Sequence, residues 1–329
     1  MAERFKVFVF RKVPFHERIA EIVGPVADLT FHHAEDAPPE ATVRALLPEV
    51  FGLLPTGPDP VPAATIEAAP RLKVIGNYGV GYNNIDVAAA TKRRILVTNT
   101  PGVLTEATAD TTWALIMAVA RRAVEADAFV RAGKFDGWRP SLLLGLELAG
   151  KTLGVVGLGH IGQAVARRAL GFGMRVIYAG RRRAAAEVEA ALRARFVPLE
   201  DLLREADVVS LHCPLSPETR HLLDAGRLAL MKPTAYLINT ARGPIVEEKA
   251  LVEALRAKRI AGAGLDVYEE EPRLAAGLAD LSNAVLFPHI GSSTLEAREG
   301  MARLAAENIR AALEGRRPSN LVNPEAWPG

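Results

Sequence analysis

Apolar positions along the chain come in short runs separated by amphipathic stretches. Phe5–Phe10, Leu29–His32, Val50–Leu54, Leu72–Ile75 and Ile95–Thr98 read as strands. Between them Phe15–Val23, Pro39–Leu47, Ala63–Ala68 and Asp86–Thr91 read as helices, the second opening with proline near its first turn. The same alternation resumes further on. Strands are expected at Leu153–Val156, Arg175–Tyr178, Phe196–Val197, Val208–His212, Ala235–Asn239, Gly262–Asp266 and Val285–Pro288. Helices are expected at Gln163–Leu170, Leu199–Glu205, Asp224–Leu230 and Lys249–Ala257. Strand–helix alternation implies parallel sheets covered by helices on both faces. The fold class expected is therefore α/β, with two doubly wound parallel-sheet domains and a cleft between them.

Ala107–Val130 reads as one long helical pattern kinked near Arg121, followed by an irregular stretch from Gly133 to Gly145. The breadth of its apolar face, with Trp113, Leu115, Ile116 and Met117, fits burial on more than one side and makes the helix a candidate dimer interface. The last helix, Thr294–Glu314, is expected to return to the first domain. One domain is then 1–99 plus 291–329 and the other 100–290.

Chemistry enters at Gly157-Leu158-Gly159-His160-Ile161-Gly162. A bare G-x-G-x-x-G is weak, but here it follows a strand and opens a helix, the context a dinucleotide requires. Gly157 would allow the tight turn, Gly159 the approach of a pyrophosphate, and Gly162 close helix–strand packing. The helix N-terminus would meet the phosphates. An acidic residue about twenty positions on ordinarily binds the ribose 2′-hydroxyl of NAD. This chain instead carries Arg181-Arg182-Arg183, with no acid before Glu187. Guanidiniums suit a 2′-phosphate, so NADPH is expected in preference to NADH.

Composition narrows the rest. The 329 residues carry a net charge of +2, 49% hydrophobic and 24% charged residues, an ordinary globular balance. No nucleic-acid partner is expected. The longest apolar run, Trp113–Ala120, is too short to span a bilayer, so no membrane partner is expected either. The opening MAERFKVFVF lacks a signal-peptide core, and Cys213 is the single cysteine. Both fit a reducing cytoplasm. Cys213 itself sits in an apolar run and reads as core. No cluster has metal-ligand spacing.

Three polar residues follow strands, where open α/β sheets bind ligands. Arg242 follows Asn239-Thr240-Ala241, Glu271 precedes Pro272 downstream of Asp266-Val267, and His289 lies in Pro288-His289-Ile290-Gly291. Together with Gly157–Gly162 these motifs, in this order across residues 76–293, resemble the D-isomer-specific 2-hydroxyacid dehydrogenases. The resemblance implies a nicotinamide-dependent oxidoreductase acting on a small 2-oxo acid, with a Rossmann-like dinucleotide-binding domain and a flavodoxin-like substrate domain. It implies that His289 exchanges the proton, Glu271 holds the other imidazole nitrogen, and Arg242 binds the carboxylate and polarises the carbonyl. Glu269 and Glu270 compete for the acid's role; Glu271 is preferred because the family's acid directly precedes the proline. The loop Gly79-Val80-Gly81 would present amides to the carboxylate, and Leu54 would line the site. Thr108, Cys213, Pro214, Thr240 and Asp266 fall at cofactor-contact positions, Asp266 near the nicotinamide amide.

Glu271 argues against the formate dehydrogenases, which carry glutamine there. Gly137-Trp138-Arg139-Pro140 is similar to the same loop of glyoxylate/hydroxypyruvate reductases, in which a tryptophan reaches the neighbouring subunit's site. Glyoxylate and hydroxypyruvate are thus the expected substrates, giving glycolate and D-glycerate, in a homodimer. Two alternatives remain: another small 2-oxo acid, or an NAD(H)-sensing corepressor-like protein of the same fold.

Overall fold

The computed structural model describes residues 4–329. The chain divides into two compact units, one formed by residues up to Leu104 together with Ser293–Gly329, the other by Thr105–Ser292.

The first unit contains β1 (Phe5–Val9), α1 (His16–Val23), β2 (Ala27–Phe31), α2 (Glu40–Leu46), β3 (Gly52–Leu54), α3 (Ala63–Glu67), β4 (Val74–Gly76), α4 (Val87–Lys92) and β5 (Leu96–Thr98). The strands form one parallel sheet in the order β2-β1-β3-β4-β5. Because both faces are covered, the strands are apolar throughout rather than alternating: Val7, Phe8, Val9, Leu53, Leu54, Val74 and Ile75 are all buried. The last helix of the chain, Leu295–Leu313, packs on α1 and β4 of this unit. Its start is capped by Thr294, whose hydroxyl accepts the Ala297 N–H at 3.2 Å.

The second unit opens with α5 (Thr105–Ala120) and α6 (Ala123–Arg131). These two replace the single helix expected over Ala107–Val130. Arg122 takes the left-handed conformation, φ 53°, and ends the helical ladder outright. Then follow β6 (Thr152–Val156), α7 (His160–Gly171), β7 (Arg175–Ala179), α8 (Ala186–Leu192), β8 (Ala194–Phe196), α9 (Leu199–Glu205), β9 (Val208–Leu211), α10 (Ala225–Leu228), β10 (Tyr236–Asn239), α11 (Glu248–Arg256), β11 (Gly262–Leu265) and β12 (Ala284–Leu286). The sheet is parallel, ordered β12-β11-β10-β9-β6-β7-β8. Strand order reverses between β6 and β9, so the crevice for a ligand opens beyond the C-terminal ends of these two strands.

The broad apolar face of α5 is absorbed within this unit, which corrects the expectation of a dimer interface there. Trp113, Leu115 and Ile116 are buried in a core shared with Leu153, Val155, Val165 and Ile238. Several exposed large apolar side chains lie instead on α6 and in the segment after it: Val124, Val130, Phe135, Trp138 and Leu144, with Trp138 83% exposed. Among the described residues, no helix is long and apolar enough to cross a membrane.

Candidate active site

The glycine turn divides its work among three positions. Gly157 ends β6 with φ 95°, and a Cβ there would lie 2.7 Å from the Cys213 nitrogen. At Gly162 a Cβ would meet the Gly157 carbonyl oxygen at 2.2 Å, so only glycine lets α7 sit this close to the strand. Nothing lies within 4 Å of the Cβ position at Gly159. A tight turn, an open backbone and the start of a helix form a cradle that suits a pyrophosphate. The helix begins at His160, earlier than the expected Gln163, so Leu158 and Gly159 form the turn while His160, Ile161 and Gly162 build its first turn. Cys213 and Pro214 follow β9 directly across from it. Burial pushes the Cys213 thiol up to about 11, so the sulfur stays protonated and unreactive.

At the end of β7 the arginine run is split. Arg183 donates to both carboxylate oxygens of Glu189, at 2.9 and 2.8 Å. The Tyr178 hydroxyl donates to the same carboxylate at 2.5 Å. Sequence reasoning missed Glu189 because α8, which carries it, was not expected. Arg181 and Arg182 are exposed and, among the described residues, form no ion pair.

Arg242, Glu271 and His289 follow β10, β11 and β12, three adjacent parallel strands. After β10 the Asn239 side chain folds back over the turn: Oδ1 accepts the Ala241 N–H at 3.0 Å and Nδ2 donates to the Arg242 carbonyl at 2.9 Å. The next residue, Gly243, touches the backbone that follows β11. A Cβ there would lie 1.8 Å from the Tyr268 carbonyl carbon, so the Arg242 turn and the Glu271 loop are pressed together.

The Glu271 carboxylate has both oxygens engaged. Oε1 accepts the Tyr268 N–H at 3.0 Å and Oε2 lies 2.8 Å from His289 Nδ1. An ionised carboxylate only accepts, so Nδ1 carries the hydrogen and Nε2 is left for other chemistry. Burial raises the Glu271 carboxyl, but the hydrogen bond and charge of His289 outweigh it, helped by the Tyr268 N–H and Arg242. The net result is a carboxyl below the usual range. Burial lowers the Arg242 guanidinium, and Glu271 opposes the shift. Its Nη1 donates to the Ala241 carbonyl at 2.7 Å.

The competing acids are spoken for elsewhere. Glu269 pairs with His221 at 2.5 Å and lies 3.6 Å from Arg220, while exposed Glu270 faces Arg273 at 3.2 Å. Only Glu271 among the three reaches His289.

His289 has φ 56°, a left-handed conformation unusual for its residue type. Two groups hold the loop in that shape. Asp266 accepts the Ile290 and Gly291 N–H groups, each at 2.7 Å, and the Tyr268 hydroxyl donates to the Phe287 carbonyl at 2.7 Å. Burial raises the Asp266 carboxyl, which the two N–H bonds partly counter. Sequence reasoning placed Asp266 beside the cofactor and missed this grip. Thr108, Asp266 and Gly291 adjoin, and Thr240 joins them through a 2.8 Å bond to the Thr112 hydroxyl.

The other expected residues of the second unit and the first are placed as follows. Trp138 lies exposed in the irregular segment after α6. In the first unit, Leu54 is fully buried at the end of β3, and Val80 and Gly81 are half-buried in the loop after β4.

Known proteins match this chain over nearly its whole length. Residues 113–291 match the family model of the D-isomer specific 2-hydroxyacid dehydrogenase, NAD binding domain. A glyoxylate reductase of Thermococcus litoralis is 51% identical over 324 residues, covering 97% of each chain. A protein of Thermus thermophilus superposes with a TM-score of 0.90 at 48% identity, covering 97% of this chain and 100% of its own. The NADPH-dependent glyoxylate/hydroxypyruvate reductase of Sinorhizobium meliloti, solved with NADP and malonate, has a TM-score of 0.88 at 33% identity, covering 99% of this chain and 98% of its own. With a family model over more than half of its length and a relative half identical over nearly all of it, the chain belongs to the D-isomer specific 2-hydroxyacid dehydrogenases, nicotinamide-dependent oxidoreductases.

Proposed function

We propose that this enzyme reduces glyoxylate to glycolate and hydroxypyruvate to D-glycerate, with NADPH as the preferred cofactor. The observation that carries the reading is the 2.8 Å bond between Glu271 and His289 beside Arg242. Reduction of a 2-oxo acid needs a proton for the carbonyl oxygen, a cation for the carboxylate and a hydride for the carbonyl carbon. Gly157–Gly162 would hold the pyrophosphate of a reduced nicotinamide dinucleotide, which when bound would supply the hydride. His289 gives its Nε2 proton to the oxygen, while Glu271 holds Nδ1–H and stabilises the charged ring before transfer. Arg242 binds the carboxylate and polarises the carbonyl with a planar fork. In the oxidative direction His289 takes the proton back.

Residues 100–290 form the dinucleotide-binding domain in this reading, and 1–99 with 291–329 the substrate domain. Leu158, His160 and Ile161 line the phosphate turn, and Thr108, Thr240, Cys213, Pro214 and Asp266 border the cofactor. Val80 and Gly81 offer amides to the substrate, with Leu54 behind them. Arg181 and Arg182, which form no ion pair among the described residues, support NADPH over NADH, and the S. meliloti relative is itself NADPH-dependent. The exposed apolar side chains of the segment 124–144 support a homodimer in which Trp138 enters the partner's site. The single free cysteine fits a cytoplasmic enzyme.

Initial rates with glyoxylate, hydroxypyruvate and a panel of larger 2-oxo acids, each with NADPH and NADH, test the reading. The two small acids with NADPH should give the highest kcat/KM. A larger acid ahead of both removes the substrate assignment, and NADH ahead of NADPH removes the cofactor assignment.

A further inference from the structure

The loop after β4 is held by a network of side-chain amides that the reaction chemistry above leaves unused. Asn77, fully buried, turns its Nδ2 to two carbonyl oxygens of the loop, Gly79 at 3.3 Å and Gly81 at 2.9 Å. Its own Oδ1 accepts from Asn84 Nδ2 at 3.3 Å. Asn84 Nδ2 in turn spans the Thr56 and Asp59 carbonyls at 3.1 and 2.9 Å. The Val80 carbonyl is taken by Asn99 Nδ2 at 2.8 Å, and the Thr100 N–H also donates to Gly79 at 3.0 Å. Asp59 anchors the far end, accepting from the Thr56 N–H, the Thr56 hydroxyl and Arg11 at 2.8, 2.7 and 2.7 Å.

Three successive carbonyls, those of Gly79, Val80 and Gly81, are therefore bound by side-chain amides. In a trans peptide the N–H of the next residue points the opposite way. The N–H groups of Val80, Gly81 and Tyr82 accordingly face away from the asparagines, and none donates a hydrogen bond among the described residues. Successive free amides of this kind form an anion-binding concavity.

We propose that Asn77, supported by Asn84 and Asn99, is a positioning residue for the substrate carboxylate, fixing the loop's carbonyls inward so that the amides of Val80, Gly81 and Tyr82 converge on the anion. The inference rests on the reading that this loop binds the carboxylate of a 2-oxo acid. The orientation of Asn77 is fixed by its neighbours: flipping the amide would set its oxygen against two carbonyls and its nitrogen against the Asn84 NH₂.

The isosteric variant Asn77→Asp puts a carboxylate against those carbonyls and releases them. KM for glyoxylate and Ki for oxalate, a carboxylate that is not reduced, should rise together by about tenfold, the scale of a lost set of hydrogen bonds to a charged ligand. The Kd for NADPH, read by fluorescence titration, should stay at the wild-type value. A general loosening of the first unit would lower the melting temperature as well, which should stay within a few degrees of wild type. Folded Asn77→Asp with unchanged KM and Ki overturns the inference. Should that variant fail to bind NADPH or to fold, Asn99→Ala removes only the Val80 restraint from a half-buried position. It should raise both constants about threefold, and no rise overturns the inference. Wild-type protein that neither reduces glyoxylate nor is inhibited by oxalate overturns the underlying substrate reading, and this inference with it.

Discussion

Asp266 accepts the Gly291 N–H at 2.7 Å, and with its other oxygen the Ile290 N–H at the same distance. The carboxylate thus grips the backbone immediately after His289 without a hydrogen bond to the imidazole. Asparagine at this position keeps one acceptor and sets its NH₂ against the second N–H. Asp266→Asn should lower kcat by at least about tenfold, because a misplaced proton donor is costly even at an ångström of error. The melting temperature should fall too, since a buried N–H loses its partner. Full turnover in this variant would show that the loop keeps its shape without the grip.

The Glu271–His289 bond makes a sharper expectation. His289→Ala should cut kcat by about 10²-fold or more, the scale of general acid catalysis, with NADPH still bound. Glu271→Gln keeps the shape and a hydrogen-bond partner but removes the charge, and should lose a smaller factor. Near-normal turnover in His289→Ala takes the residue out of the mechanism.

Arg181 and Arg183 are neighbours in sequence but not in role. Arg183 is committed to Glu189, whereas Arg181 forms no ion pair among the described residues. Arg181→Asp should shift the kcat/KM ratio of NADPH to NADH toward NADH by about tenfold or more, through loss of one charge-assisted contact and repulsion of the 2′-phosphate. Arg183→Ala should leave that ratio near wild type. Equal shifts in the two variants would mean that net charge, not a defined contact, sets the preference.

What the sequence conveyed and what it withheld have separate physical origins. The strands were legible because a parallel sheet buried on both faces demands continuous apolar runs, as in Leu153–Val156 and Val208–Leu211. The glycine turn was legible because its spacing is distinctive: Gly157 and Gly162 answer steric needs within the chain, and Gly159 leaves the backbone open between them. The break at Arg122 was legible only as a kink near Arg121, since nothing in the residue type announces the left-handed conformation that ends the helix there. The wide apolar face of α5 was misassigned for a related reason: periodicity shows that a face is buried, not what covers it, and here α7 and the strands beneath do so. The grips of Asp266 and Tyr268 on the His289 loop join residues far apart in the chain, and no local pattern records such a bond.

Trp138 is the most exposed of the large apolar side chains among the described residues and stands in a segment, 124–144, that carries four others. A dimer formed over that segment would cover it. Trp138→Ala should raise KM for hydroxypyruvate with little change in KM for NADPH, because truncating one aromatic contact costs substrate binding alone. Sedimentation should show a dimer for the wild-type chain. A monomer at micromolar concentration, or an unchanged KM, removes Trp138 from a shared pocket.

His212 supplies a test of the fold rather than of the reaction. It follows β9 with Nε2 2.8 Å from the Ser210 hydroxyl, and burial lowers its pKa to about 3. In the unfolded chain a histidine titrates near 6.5. Between these values the unfolded state takes up a proton that the folded state refuses, so stability falls as pH drops below about 6.5. Above that pH both states are neutral and the site contributes no pH dependence. His212→Asn removes the titrating group while keeping a partner for Ser210. Between pH 7 and pH 4 the wild-type chain should therefore lose on the order of 3 kcal/mol more than the variant, measured by guanidinium unfolding of both proteins at each pH. The carboxylates titrate in both chains and cancel in the comparison. Parallel losses would mean that water reaches the His212 ring and that it charges in the folded protein.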